Sequence, residues 1–303
     1  SQGLIKNIIK KIMETDKTRV VIIGAKGMLG QSLVEIFESD EKYKTIGWDI
    51  EDIDIADREK VFGKIKEARP QAVINCAAYN MVDKAEESGE EFKKANKING
   101  DGPGYLARVC QKEKAVFVHY VSDYVFDGKK GAYEEGDETN PISKYGLSKE
   151  LGEKKVKEIG GAYYLIRTSK LFGRPAKAKT SKKSFFDVML DLAKEKKELK
   201  VVDDERSCFT YVDDLAKATK KLIDENFEYG IYHIANEGPV TWYEGVLKLF
   251  EIAGVKNVKV IPVSSEEFPR PAKRPKSSIL INTKFPKLRR YEKAIEEWIN
   301  IYH

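Results

Sequence analysis

Apolar residues along the chain fall into two alternating rhythms. Uninterrupted apolar runs at residues 19–23, 45–48, 72–76, 116–121 and 163–167 have the length of strands. They hold too few polar positions for a sheet wetted on one face, so they predict strands covered on both sides, as in a parallel sheet. Between them the apolar spacing lengthens to three and four. Leu29, Leu33, Ile36 and Phe37 share one helical face, and Val61, Phe62 and Ile65 share another. Residues 86–99 also read as helix, and a further helix is expected after a turn at 100–104. Strand alternating with helix predicts an α/β fold, a doubly wound, Rossmann-like parallel sheet with helices on both faces.

After Gly173 the rhythm changes, which predicts a smaller C-terminal substrate-binding domain. Residues 174–183 form a basic loop, followed by a helix carrying Phe185, Met189 and Leu192 and a strand at 199–202. A helix at 212–223, a strand at 232–235 and a helix at 242–253 come next. Four prolines within 262–276 predict a loop throughout, and Leu288, Tyr291, Ile295 and Trp298 mark a closing amphipathic helix. The expected division gives 19–170 with 211–235 to a dinucleotide-binding domain and 171–210 with 236–303 to the substrate domain. Residues 1–18 are left as a tag remnant (Ser1-Gln2-Gly3) and an extension with a short amphipathic helix at 4–13.

Composition narrows the class. A hydrophobic share of 41% suffices for a buried core and excludes disorder. Charged residues reach 34%, and such a Lys- and Glu-rich surface points to solubility and heat tolerance. The net charge of +5 is dispersed along the chain, which argues against a nucleic-acid-binding protein. Cys76, Cys110 and Cys208 are odd in number and far apart, as expected of a reducing, cytoplasmic compartment. No apolar run approaches the ~20 residues of a membrane span. His119, His233 and His303 share no metal-ligand spacing, so no metal is expected, and His119 and His233 read as satisfied structural residues. Asp203-Asp204-Glu205 reads as a solvated turn.

Chemistry first enters at Gly24-Ala25-Lys26-Gly27-Met28-Leu29-Gly30, which follows the first strand and opens a helix. Glycines at this spacing let the backbone turn tightly and bring amide N–H groups against a pyrophosphate, with the helix N-terminus adding partial positive charge. Asp49, closing the second strand, stands where an acidic side chain meets ribose hydroxyls, which favours NADH. Lys26 inside the turn can accept a 2′-phosphate, which favours NADPH. The choice stays open.

Tyr145 and Lys149 lie one helical turn apart on a helix for which Ser143 is the expected N-cap. Reducing a ketone by hydride transfer creates an alkoxide that must be protonated as it forms. A tyrosine can donate that proton, and a nearby ammonium would lower its pKa by stabilising the phenolate. Ser122 ends the strand at 116–121, where open α/β sheets place functional groups, and its hydroxyl can donate to the same carbonyl oxygen. Together Ser122, Tyr145 and Lys149 form the candidate catalytic set.

With these residues the chain resembles the dTDP-4-dehydrorhamnose reductases, extended members of the short-chain dehydrogenase/reductase superfamily, over nearly its whole length after Arg19. The resemblance is carried by Asn75-Cys76-Ala77-Ala78-Tyr79, Val82-Asp83-Lys84-Ala85-Glu86, Ser122-Asp123-Tyr124-Val125-Phe126-Asp127-Gly128 and Tyr145-Gly146-Leu147-Ser148-Lys149. Further stretches are Arg167-Thr168-Ser169, Thr241-Trp242-Tyr243 and Ala272-Lys273-Arg274-Pro275. It implies NADH- or NADPH-dependent reduction of the C4 keto group of a dTDP-linked 6-deoxy sugar, and a homodimer. Asp54, Ile55, Cys76, Ala77, Ala78, Tyr79 and Asn99 would line the cofactor beside the glycine turn, Asp49, Tyr145 and Lys149. Asp123, Tyr124, Val125, Lys170 and Arg274 would face the nucleotide sugar, with Arg270, Lys273 and Lys276 near its diphosphate.

Three positions depart from the family pattern. Val121-Ser122 keeps one hydroxyl of a Ser-Thr pair, Lys170 replaces a tryptophan, and Ser207-Cys208-Phe209-Thr210 replaces a Gly-x-Pro-Thr stretch. The last two fall on the sugar side. They leave room for a reductase or epimerase of another nucleotide sugar. They also leave room for a non-catalytic cofactor-binding subunit resembling the regulatory subunit of methionine adenosyltransferase.

Overall fold

Six parallel strands form the central sheet: β1 (Thr18–Ile23), β2 (Tyr43–Trp48), β3 (Ala72–Asn75), β4 (Val116–Ser122), β5 (Tyr163–Thr168) and β6 (Gly230–His233). Their spatial order is β2-β1-β3-β4-β5-β6. The computed structural model describes residues 17–178 and 181–303. The tag remnant and the helix expected at 4–13 lie outside the described residues, and Thr18 already belongs to β1.

Strand periodicity divides the core in two. Val20, Ile22, Ala72, Ile74, Val118, Tyr164 and Ile166 face Leu29, Leu33 and Phe37 of the Met28–Glu38 helix and Leu215 and Leu222 of the Val212–Asp224 helix. Val21, Ile23, Val73, Phe117 and Leu165 face Val61, Ile65, Leu106, Val109 and Val156 of the Arg58–Ala68, Gly102–Glu113 and Lys144–Ile159 helices. Each Val, Leu, Ile or Phe among them contributes about 1.5–3 kcal/mol on burial. Both faces must be covered for the sheet to stand, as the unbroken apolar runs require. The chain reverses direction across the sheet between β1 and β3, the place where open α/β sheets bind ligands.

A third, aromatic cluster gathers the segments that follow β5. Phe172, Phe186, Phe209, Val246, Leu249, Tyr291, Ile295 and Trp298 fill it, with Phe209 stacked on Phe186 at 4.3 Å between centroids. The Trp298 indole donates to the Gly173 carbonyl at 2.9 Å. Short strand pairs frame this cluster: Glu198–Val202 with Lys259–Val263, and Arg206–Ser207 with Val240–Thr241. The strand Ser278–Leu280 returns to pair with Gly131–Tyr133.

Three local expectations need correction. No turn occurs at 100–104. The helix expected at 86–99 is a single turn (Lys84–Glu87), a break at Ser88 and a second helix (Gly89–Ala95). That helix widens into a π-helical stretch (Asn96–Asp101) and runs on into Gly102–Glu113. The glycines there serve packing. A Cβ on Gly100 would meet the Leu151 side chain at 2.5 Å, and one on Gly152 opposite would lie 2.1 Å from the Asn99 carbonyl oxygen. Pro262 lies inside the strand Lys259–Val263, which is paired on one side only, so its missing N–H costs no ladder bond. A 3₁₀ turn at Ser265–Glu267 also interrupts the expected loop.

Candidate active site

The glycine turn is built as the sequence requires. Gly24 has φ +80°, a left-handed conformation that glycine adopts without strain. A Cβ on it would lie 2.9 Å from the Ala77 nitrogen, and one on Gly30 would lie 2.1 Å from the Gly24 carbonyl oxygen. The helix after it starts at Met28 with no side-chain cap at Gly27 and no acid in its first turn. Its first N–H groups and their partial positive charge are therefore available to an anion. A cradle that a Cβ would fill, ending in an uncapped helix, fits a dinucleotide pyrophosphate. Leu29 is buried in the core, and Met28 packs against it.

Past β2, Asp49 accepts from the Lys26 nitrogen at 2.9 Å and from the Ile50 nitrogen at 2.8 Å. The Lys26 ammonium, expected to meet a 2′-phosphate, is paired with Glu51 at 2.9 Å, which raises its pKa. Asp54 caps the Ala56 nitrogen at 2.9 Å. The Ile55 side chain is buried against Gly102, so only its main chain can face a cofactor. A segment from beyond β5 crosses over the turn, with the Lys177 nitrogen donating to the Lys26 carbonyl at 2.9 Å.

The floor after β3 is held by Asn75, whose side chain the sequence reading gave no role, together with His119 and Asn99. Asn75 accepts from the Ala77 nitrogen at 3.1 Å and approaches His119 Nδ1 at 3.2 Å. Burial drives the His119 pKa well down, and its Nε2 has no partner among the described residues, so His119 is only half satisfied. Asn99 is fully engaged. It accepts from the Tyr79 nitrogen (2.8 Å) and donates to the Tyr79 carbonyl (3.0 Å) and the Ser148 hydroxyl (2.9 Å). It thus pins the loop of Ala77, Ala78 and Tyr79 to the Lys144–Ile159 helix. Cys76 sits beside Lys149 with its thiol pKa pushed up by burial, as a packing residue.

Ser122, Tyr145 and Lys149 come together at the C-terminal edge of β4. Ser143 caps the Lys144–Ile159 helix as expected, accepting from the Gly146 nitrogen at 3.1 Å. The Tyr145 ring meets Tyr124 edge to face, with 5.9 Å between centroids. Burial pushes the Tyr145 pKa up, and the neighbouring Ser122 hydroxyl pulls it back in part. This corrects the expectation that Lys149 lowers it. The Lys149 ammonium donates to the Tyr120 carbonyl at 3.3 Å, and burial brings its own pKa down to about 8. Tyr145 is therefore held as a protonated phenol at neutral pH.

On the opposite side, Asp123 is buried and accepts from Ser278 at 2.6 Å and from Ser122 at 3.2 Å, with burial raising its pKa to about 6. Tyr124 is partly buried, whereas the Val125 side chain is wholly in the core and leaves only main chain for a ligand. Arg274 is not free for a diphosphate. Its guanidinium grips Asp83 at 2.5 and 2.7 Å, an acid 191 positions away in the chain. Arg270 pairs with Glu205 and Lys276 with Asp204. These pairings scatter Asp203-Asp204-Glu205 onto separate partners, and the described residues hold no metal-binding cluster. Lys170 lies over the Trp242 ring at 4.0 Å.

A doubly wound parallel sheet, a glycine cradle at its switch point and a Ser-Tyr-Lys group at the end of β4 define the short-chain dehydrogenase/reductase class. Comparison with known proteins narrows this. Residues 18–303 match the RmlD substrate binding domain family model, and the chain belongs to that family. It is 35% identical over 277 residues to dTDP-4-dehydrorhamnose reductase of Aggregatibacter actinomycetemcomitans, covering 88% of this chain and 91% of that protein. The crystal structure of a dTDP-4-dehydrorhamnose reductase from Clostridium acetobutylicum superposes with a TM-score of 0.87 at 37% identity, over 94% of this chain and 99% of that one. The Bacillus anthracis enzyme, crystallised in complex with NADP, gives the same TM-score, identity and coverage.

Proposed function

We propose that this protein reduces the C4 keto group of dTDP-4-dehydrorhamnose, giving dTDP-L-rhamnose at the expense of NADH or NADPH. The carrying observation is Tyr145, a buried phenol packed with Tyr79 and Tyr124 on the helix whose Lys149 reaches the Tyr120 carbonyl of β4, while the loop leading to Tyr79 closes over Gly24. The dinucleotide would rest on Gly24, Gly27 and Gly30, with its ribose near Asp49 and Lys149, and would supply the hydride to the carbonyl carbon. Ser122 and Tyr145 hold the carbonyl oxygen, and Tyr145 delivers the proton as the negative charge develops there. Lys149, with its pKa brought down by burial, keeps a mobile proton behind Tyr145.

The same proposal assigns 19–170 with 211–235 to the cofactor and 171–210 with 236–303 to the sugar. It favours NADH, because Asp49 and Glu51 already occupy the groups of Lys26 that a 2′-phosphate would need. It places the enzyme in the cytoplasm, in keeping with three free cysteines, and carries over the family's homodimer. No helix among the described residues is long and apolar enough to cross a membrane. The intact Ser122, Tyr145 and Lys149 favour an enzyme over a regulatory subunit. The test is oxidation of NADH and of NADPH by purified protein with dTDP-4-keto-6-deoxy-L-sugar. Cofactor binding without turnover would overturn the reading.

A further inference from the structure

His119 is the least explained side chain beneath the glycine cradle. It lies on β4 beside its register partner Asn75 on β3 and is only 1% exposed. Its Nε2 has no partner among the described residues, and a buried polar atom left unmet penalises folding. Packing alone would favour an apolar side chain, so the histidine is explained by its other ring nitrogen. Nδ1 stands 3.2 Å from the Asn75 amide nitrogen, while the Asn75 amide oxygen accepts from the Ala77 nitrogen at 3.1 Å. An amide NH2 only donates, so Nδ1 accepts and the ring is neutral, with its proton on Nε2. Burial acts in the same direction, because it disfavours the charged ring.

The two contacts of Asn75 choose one orientation of its amide. Ala77 needs the oxygen on its side, and His119 needs the NH2 on the other. Without the Nδ1 acceptor the buried NH2 is left unmet, and the hold on Ala77 loosens. A Cβ on Gly24 would lie 2.9 Å from that same Ala77 nitrogen, so the atom that Asn75 holds also closes against the phosphate-binding turn. The far end of the loop is fastened separately, at Tyr79, by Asn99. We propose that His119 is a positioning residue for the dinucleotide: by accepting from Asn75 it holds Ala77 against Gly24 and so sets the affinity of the cradle. This rests on the reading of the glycine turn as the cofactor site, and its test reads binding alone.

The experiment is fluorescence titration of the full chain with NADH and with NADPH. His119→Leu and His119→Asn share one branched shape and leave the same space, but only asparagine offers an acceptor, Oδ1, where Nδ1 stood. His119→Leu should bind the dinucleotide about 3- to 10-fold more weakly, the worth of one neutral hydrogen bond. His119→Asn should restore most of that loss. Asn75→Ala should also weaken binding, and adding His119→Leu to it should cost nothing further, because His119 acts through Asn75. Parent-like binding by His119→Leu overturns the proposal, and so does equal weakening by the leucine and asparagine variants. Unchanged binding by Asn75→Ala, which does not depend on how the His119 variants fold, overturns it too. Binding that responds as expected, with no turnover of the sugar, would support this role and count against the reductase reading alone.

Discussion

Replacing Tyr145 by Phe isolates the proton donor. The ring stays in place, because it is buried in a small cluster with Tyr79, Ala85 and Ala95 and stands edge-on to Tyr124. The loss is one buried hydroxyl, worth no more than about 1 kcal/mol of stability. Burial raises the Tyr145 pKa, so the group carries its proton at neutral pH. Removing such a donor should slow turnover by about 10²–10⁴-fold, equivalent to about 3–5 kcal/mol of transition-state stabilisation. The assay is NADH oxidation with dTDP-4-keto-6-deoxy-L-sugar, alongside a fluorescence titration of NADH. Binding should match the parent while turnover collapses. A variant that keeps more than about a tenth of the parent rate would show that the proton comes from elsewhere.

Other perturbations read the surrounding structure. Gly152→Ala places a Cβ 2.1 Å from the Asn99 carbonyl oxygen and should destabilise the protein by about 1–3 kcal/mol; an unchanged thermal melt would contradict the packing described. Glu51→Gln releases Lys26 and should shift preference towards NADPH, read as the ratio of the two dissociation constants; a constant ratio would remove Lys26 from the 2′ side. The His233 pKa is brought down to about 4, by burial first and then by Arg167, from 6.5. As pH falls below about 6.5, the unfolded chain takes up a proton that the native state refuses. Stability should therefore decline from there to about pH 4; a midpoint in urea that stays flat across that window would count against a buried neutral His233.

The parallel sheet was legible because strands covered on both faces leave unbroken apolar runs, and the glycine turn because its context is local. The reading went wrong where one letter serves two physical ends. Gly100, Gly102 and Gly104 look like a turn, yet they lie in helix, where Gly100 and Gly104 face Leu151 and Lys155 of the Lys144–Ile159 helix and Gly102 faces Ile55. Pro262 looks like a strand breaker, yet it stands in a strand with one free edge. Ser122, Tyr145 and Lys149 were visible as a group, but the partner of the Lys149 ammonium was not, since it is the Tyr120 carbonyl on β4. Arg274 was placed on the right loop, while its partner Asp83 lies far away in sequence, where no local pattern reaches. The chemistry of Lys170 depends on Trp242 and Phe209, which only the folded chain brings to it.

The order of the strands also sets a timetable for synthesis. On the ribosome, β1 to β4 can pair as each emerges, building outward from β1 in both directions. β5 then stands as a bare edge while the chain diverts into the aromatic cluster, and it is covered only when residues 230–233 arrive. Until then an extended, strongly apolar strand offers unpaired backbone groups to any neighbour, the condition that invites aggregation. Truncation anywhere before β6 should therefore yield not a smaller working domain but a sticky one that depends on chaperones.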